Sequence, residues 1–110
     1  MVTPLSVNAD RGDDGGPLVV VKGEIDLSNV ETFIQALSAA IAGAGEAGGT
    51  VTLDLSAVEY LDSAAIGALS VHAGERPAMR VIANPYLLPV LTISGIDQLV
   101  TVEPAKPGAR

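Results

Sequence analysis

Strand-like and helix-like runs follow one another in the order β, β, α, β, α, β, α, β, and this alternation leaves few folds open. Strands separated by helices pair in parallel through crossover connections, and two strands in succession at the start form an antiparallel hairpin. The expected architecture is α/β: a mixed sheet with an N-terminal hairpin and crossover helices. With 110 residues, the chain is expected to be a single domain over 1–110, with a core from about 5 to 102 and a loose tail from 103 to 110.

Individual elements carry their own signals. Residues 4–9 alternate and predict a short edge strand, and Leu18 to Lys22 is a β-branched run that pairs with it, giving strands at 4–9 and 17–23. The Asp13-Asp14-Gly15-Gly16 cluster between them has turn chemistry and lacks calcium-ligand spacing. Ser28-Asn29-Val30-Glu31 has the form of a capping box, and Val30, Phe33, Ile34, Leu37 and Ile41 then recur at helical spacing. Gly43 suits a left-handed helix stop. Gly43, Gly45 and Gly48 spell G-x-G-x-x-G, but a dinucleotide loop follows a strand and opens a helix, so this stretch is expected to be a connector.

Val51, Leu53 and Leu55 alternate with polar residues, and the strand-like character runs on to Leu61. A short second helix opens near Ser63, with Ile66, Leu69 and Val71 as its apolar positions, and Gly74 and Pro77 end it. Met79 to Ala83 predicts another strand. Asn84-Pro85 is an N-cap followed by proline at the first helical position, opening a helix that Pro89 kinks or shortens and Gly95 stops. Residues 99–102 predict a last strand.

Composition excludes several function classes. The net charge of −7 would repel a phosphate backbone and an anionic membrane surface. Only Phe33, Tyr60 and Tyr86 are aromatic, too few for base-stacking platforms. There is no cysteine, so disulfides, thiol catalysis and thiolate metal sites are out. No basic-then-apolar leader and no membrane-length apolar run is visible, so a cytoplasmic protein is expected, with no nucleic-acid or membrane partner. No metal-ligand cluster and no cofactor motif stands out. The one histidine, His72, lies near the end of a short helix, where it faces solvent or the last carbonyls. A small serine hydrolase using Ser63 would need a base and a G-x-S-x-G elbow, and the elbow is missing. A glycosidase-type pair drawn from Asp26, Asp54 and Asp62 lacks an aromatic sugar platform. The chain is therefore expected not to be an enzyme.

One residue stands apart. Ser63 follows Asp62 where a strand gives way to a helix, and oxyanions such as phosphate are tolerated at helix N-termini. The ordinary alternative is that Ser63 is only a helix N-cap.

Gly23-Glu24-Ile25-Asp26, leaving a strand for a capped helix, resembles the first signature of STAS domains. Asp54-Leu55-Ser56, Val58, Tyr60-Leu61-Asp62-Ser63 and Ile66-Gly67 resemble the second. Asn84-Pro85, Leu91 and Ser94-Gly95-Ile96 resemble the closing helix and its stop. Free-standing chains of this size are similar to bacterial anti-sigma factor antagonists. That resemblance implies partner switching: the unmodified protein binds an anti-sigma factor that is also a serine kinase, phosphorylation of the serine after the aspartate releases it, and sigma-factor-dependent transcription is set accordingly. The matching phosphorylation site is Ser63, and the implied partner surface comprises Asp26, Asp62, Ser63, Ala64, Ile66 and Gly67. The chain departs from the family pattern at Ala64 and Ala65, where Ser or Thr and then Gly usually stand, in the shortness of its second helix, and at Pro89. The alternative within binding modules is a STAS subunit of a lipid-transport or stress-sensing complex in which Ser63 is never phosphorylated.

Overall fold

The computed structural model describes residues 5–12, 15–47, 49–73 and 78–105, with the side chains of 45–47 outside the description. Five strands form one sheet in the order β1-β2-β3-β4-β5: β1 Ser6–Arg11, β2 Pro17–Ile25, β3 Val51–Leu61, β4 Met79–Ala83 and β5 Thr101–Pro104. β1 pairs antiparallel with β2, and every later pairing is parallel. The helices are α1 Val30–Ala47, α2 Ser63–Ala73 and α3 Leu88–Ile93.

Strand order follows chain order, so each right-handed crossover advances in the same direction and sets its helix on the same face of the sheet. The strand burial patterns agree. Val19, Val21 and Ile25 of β2, Val51, Leu53, Leu55 and Val58 of β3, and Met79, Val81 and Ala83 of β4 are buried. Phe33 and Leu37 of α1, Leu69 of α2 and Leu91 of α3 meet all of these but Val51 in one core. Val30, Ile34 and Ile41 pack at its margin, so the predicted face of α1 is the buried one. The opposite face of the sheet carries Leu18, Val20, Thr52, Asp54, Arg80 and Ile82.

Several expectations need correction. The capping box does not form: the Ser28 hydroxyl donates to Asp26 Oδ1 at 2.5 Å, and the Asn29 side chain closes the turn by accepting from Asp26 N–H at 2.9 Å and donating to Glu24 C=O at 3.0 Å. The donation to Asp26 is charge-assisted and holds the Ser28 side chain toward the strand end instead of over the first turn of α1. Gly43 does not end α1, which runs to Ala47, so Gly43 and Gly45 are helical rather than part of a connector. Gly48 lies outside the described residues, as do Asp13, Asp14, Gly74 and Pro77. Val71 is exposed, and the inner face of α2 is made by Ala65, Ala68, Leu69 and Ala73. The first strand runs on to Arg11, two residues past the expected end at Ala9, Leu5 lies outside it, and Pro4 lies outside the described residues.

The third helix is divided as Pro89 demands. Asn84 Oδ1 accepts from Tyr86 N–H at 3.0 Å and opens a 3-10 turn over Pro85–Leu87. Pro89 then sits in the first turn of α3, where its missing N–H leaves no bond unmade. Gly95, at φ +85°, reverses the chain as expected. A second 3-10 turn, Ile96–Gln98, follows, and the last strand forms at Thr101–Pro104 rather than 99–102.

Candidate functional site around Ser63

The parallel pairing of β2 and β3 places Ile25 beside Leu61, so Asp26 and Asp62 emerge from neighbouring strand ends about 4.8 Å apart. Asp62 holds this end of the sheet together. Its N–H donates to Ile25 C=O at 3.2 Å. Its Oδ1 accepts from Ala65 N–H at 3.1 Å, and its Oδ2 accepts from Leu27 N–H at 3.0 Å. One carboxylate therefore caps α2 and anchors the turn that leads into α1.

This assigns the capping role to Asp62, not Ser63. Ser63 occupies the first helical position, is exposed, and its hydroxyl makes no hydrogen bond among the described residues. A capping serine would have its oxygen held against the second or third helical N–H. Here Asp62 has taken that donor, so the Ser63 hydroxyl is left to solvent.

Ser63, Gly67 and Val71 recur at intervals of four and form the outer stripe of α2. A side chain added at Gly67 would meet nothing within 4 Å. Ala64 is half-buried beside this stripe, and Ile66 turns toward the core and packs at its edge. The six sequence-derived positions are thus contiguous, but Ile66 is only partly available at the surface. The sequence reading missed Leu27, which is 77% exposed beside Asp62, and the signal was present as an apolar residue set in a polar turn. It also missed the outward Val71.

The surroundings are acidic. Glu24 and Glu59 lie on the same strand ends as Asp26 and Asp62. The cations among the described residues are Arg11, Lys22 and Arg80, all on strands and none in the turns that frame Ser63.

His72 is not brought to Ser63. It lies nine positions further along α2, about 13 Å by helix rise. Its Nδ1 bonds Ala68 C=O at 2.9 Å and must carry the proton, since a carbonyl only accepts. Its Nε2 lies 3.1 Å from the Ser38 hydroxyl and ties α2 to α1. The expected contact with a helix carbonyl is present, and the cross-helix bond was not foreseen. Asp54 stands on the sheet's uncovered face, away from the strand ends that carry Asp26 and Asp62. Among the described residues no group of His, Asp and Glu is placed to hold a metal ion, and no helix is long and apolar enough to cross a membrane.

Replacing Asp62 with alanine is expected to cost about 1–2 kcal/mol: a lost cap accounts for roughly 1 kcal/mol, and the freed Leu27 N–H is exposed enough to find water. Asp62→Asn should cost less, because asparagine caps about as well. A denaturant titration measures both, and an Asp62→Ala protein as stable as the parent would remove the anchoring role.

Two solved structures are similar to the chain in fold. The crystal structure of an anti-sigma factor antagonist from Mycobacterium paratuberculosis matches at 26% identity and a TM-score of 0.78, covering 91% of this chain and 86% of that one. The anti-sigma factor antagonist SpoIIAA in its unphosphorylated form matches at 16% identity and a TM-score of 0.70, covering 93% and 90%, a likeness of fold. No curated protein matches the chain by sequence. The family model described as "Mlab, STAS domain" matches residues 8–101, nearly the whole of the sheet and its helices, and the chain belongs to the STAS domain family.

Proposed function

We propose that this protein is an anti-sigma factor antagonist that docks on its anti-sigma factor through the N-terminal end of α2 and is released when that partner, a serine kinase, phosphorylates Ser63. The observation that carries this reading is the unoccupied hydroxyl. Ser63 is exposed at the first position of α2 while Asp62 performs the capping, so the hydroxyl is available to a kinase without loss to the fold. The partner surface comprises Asp26, Asp62, Ser63, Ala64, Ile66 and Gly67, extended by Leu27 and Val71.

Charge supplies the release. A phosphate adds about 1.5–2 negative charges. The helix N-terminus tolerates it within its own chain. No cation in the framing turns can clamp it inward, and Asp26 and Asp62 stand beside it, so the repulsion acts on whatever is docked. The protein is a binding module of the cytoplasm in this reading, not an enzyme.

The test is to incubate the purified protein with ATP and candidate anti-sigma kinases and to map phosphate by mass spectrometry. Phosphate on Ser63, absent from Ser63→Ala, is the expected result. Phosphate elsewhere, or none with a kinase that binds the protein, overturns the phosphorylation step. The second reading, a permanent STAS subunit of a lipid-transport or stress-sensing complex, is favoured by Ala64 and Ala65 in place of the family's usual Ser or Thr and Gly. It predicts stable partner binding with Ser63 never modified.

A further inference from the structure

The closing helical segment is apolar on every side. Leu87, Leu91 and Ile96 are buried in the core, and Leu88 packs at its margin. The outward side carries Tyr86, Pro89, Val90 and Ile93. Tyr86 is 89% exposed and Ile93 86%, the highest values for large apolar side chains among the described residues. A helix that is apolar all round is ordinarily buried all round, and this one is covered by its own chain on one side only.

Charge and shape both point to what covers the other side. No residue between Arg80 and Asp97 is charged, the longest uncharged run in a chain of net charge −7. Arg80 itself is turned to the far face of the sheet, where its guanidinium forks onto Glu103 at 2.7 and 2.9 Å. A basic partner would find its complement at the acidic strand ends around Asp26 and Asp62, not on this segment. Two acidic chains repel each other least across a face that carries no charge. Tyr86, Val90 and Ile93 stand four and three residues apart on one side, and Val90, at 37% exposed, is the low point between two projecting side chains. That profile fits itself. Two such helices crossing at Val90 about a two-fold axis set Tyr86 of each copy beside Ile93 of the other, so the projecting pair of one copy straddles the helix of its mate.

We propose that a second copy of this chain covers the stripe, giving a two-fold dimer closed through Tyr86, Pro89, Val90 and Ile93. A two-fold interface is isologous, so one patch serves both sides. A tyrosine buries about 150–250 Å². With its three neighbours the stripe offers roughly 500 Å² on each copy, below the ~800 Å² per partner of a standard stable interface. The dimer is therefore transient, with a dissociation constant on the order of 100 µM. It uses no residue of the Ser63 surface and does not depend on the partner-switching reading.

The experiment is sedimentation equilibrium of the whole chain from about 10 µM to about 1 mM, a range that brackets that constant. The average mass should rise from that of one chain toward that of two. Raising the salt from about 20 to about 200 mM should strengthen the association, because it screens the repulsion between two acidic chains. Ile93→Lys and Tyr86→Glu alter exposed side chains, so the fold is retained, and each should weaken association about tenfold or more by placing a charge in the apolar contact. An equimolar mixture of the two variants should associate at least as tightly as the parent, since the introduced charges then face each other across the two-fold. Ser63→Asp should leave association within about twofold, because it lies outside the contact. The proposal is overturned by a one-chain mass at every concentration, by association that weakens with salt, by Ile93→Lys associating like the parent, by a mixture no tighter than either variant alone, or by loss of association in Ser63→Asp.

Discussion

Ser63→Asp is expected to weaken binding to the proposed anti-sigma partner by about tenfold or more, and Ser63→Ala to leave it within about twofold. The alanine result follows from the free hydroxyl: it bonds nothing among the described residues, and Asp62 keeps the cap whichever side chain stands at 63. The aspartate result follows from charge. A carboxylate at the first position of α2 is favourable to the isolated helix, so the fold is not harmed. It must nevertheless be desolvated at the interface beside Asp26 and Asp62, and like-charge juxtaposition there costs several kcal/mol. Aspartate carries less charge than phosphate, so the phosphorylated protein should bind more weakly still. Calorimetric titration of the partner against the three proteins decides the matter. If Ser63→Asp changes affinity by less than about twofold while the partner still docks on α2, release by repulsion is wrong.

The geometry that makes Ser63 available was only half legible in the sequence. Asp62 and Ser63 are adjacent and are similarly good caps, so propensity alone cannot rank them. The choice is made by a residue far away in sequence, since Leu27 N–H needs the second oxygen of Asp62, and only a carboxylate has two acceptor oxygens to serve both turns. The same limit appears at α1. Its apolar face was readable because Phe33 and Leu37 keep helical spacing and, of the five positions expected on that face, are the two that are fully buried. Its end was not, because Gly43 suggested a stop. Gly43 has no positive φ, and Ala44 is buried one position later, so packing carries the helix through a residue that costs only about 1 kcal/mol relative to alanine.

The inner face of α2 was misread for a related reason. Large apolar residues attract attention, whereas Ala65, Ala68 and Ala73 let the helix lie close to the sheet and leave Val71 outside. At the C-terminus the apolar run Leu99–Val102 resembles a strand. Ile96 and Val100 instead share the core across a helical turn, which turns Leu99 to solvent and delays pairing with β4 until Thr101. The fold class, the hairpin and the crossovers needed only patterning along the chain. The cap, the helix end and the strand start depended on contacts between segments distant in sequence.

Phe33→Ala is expected to cost about 3–5 kcal/mol, the usual range for emptying a buried aromatic site. Phe33 is 1% exposed, whereas Tyr60 and Tyr86 are largely at the surface, so it is the only aromatic ring in the core. Its neighbours in that core are aliphatic side chains on strands and helices that are already fixed by the sheet. Strands tied by hydrogen bonds on both sides cannot move inward to fill a ring-sized void, so little of the cavity term is recovered by collapse. A domain of this size has roughly 5–15 kcal/mol of stability in all, so the variant should unfold at a much lower denaturant midpoint with an unchanged slope. Phe33→Leu should recover a large share of the loss, because it returns most of the apolar volume. A loss below about 1 kcal/mol for Phe33→Ala would mean that α1 presents a different face to the sheet.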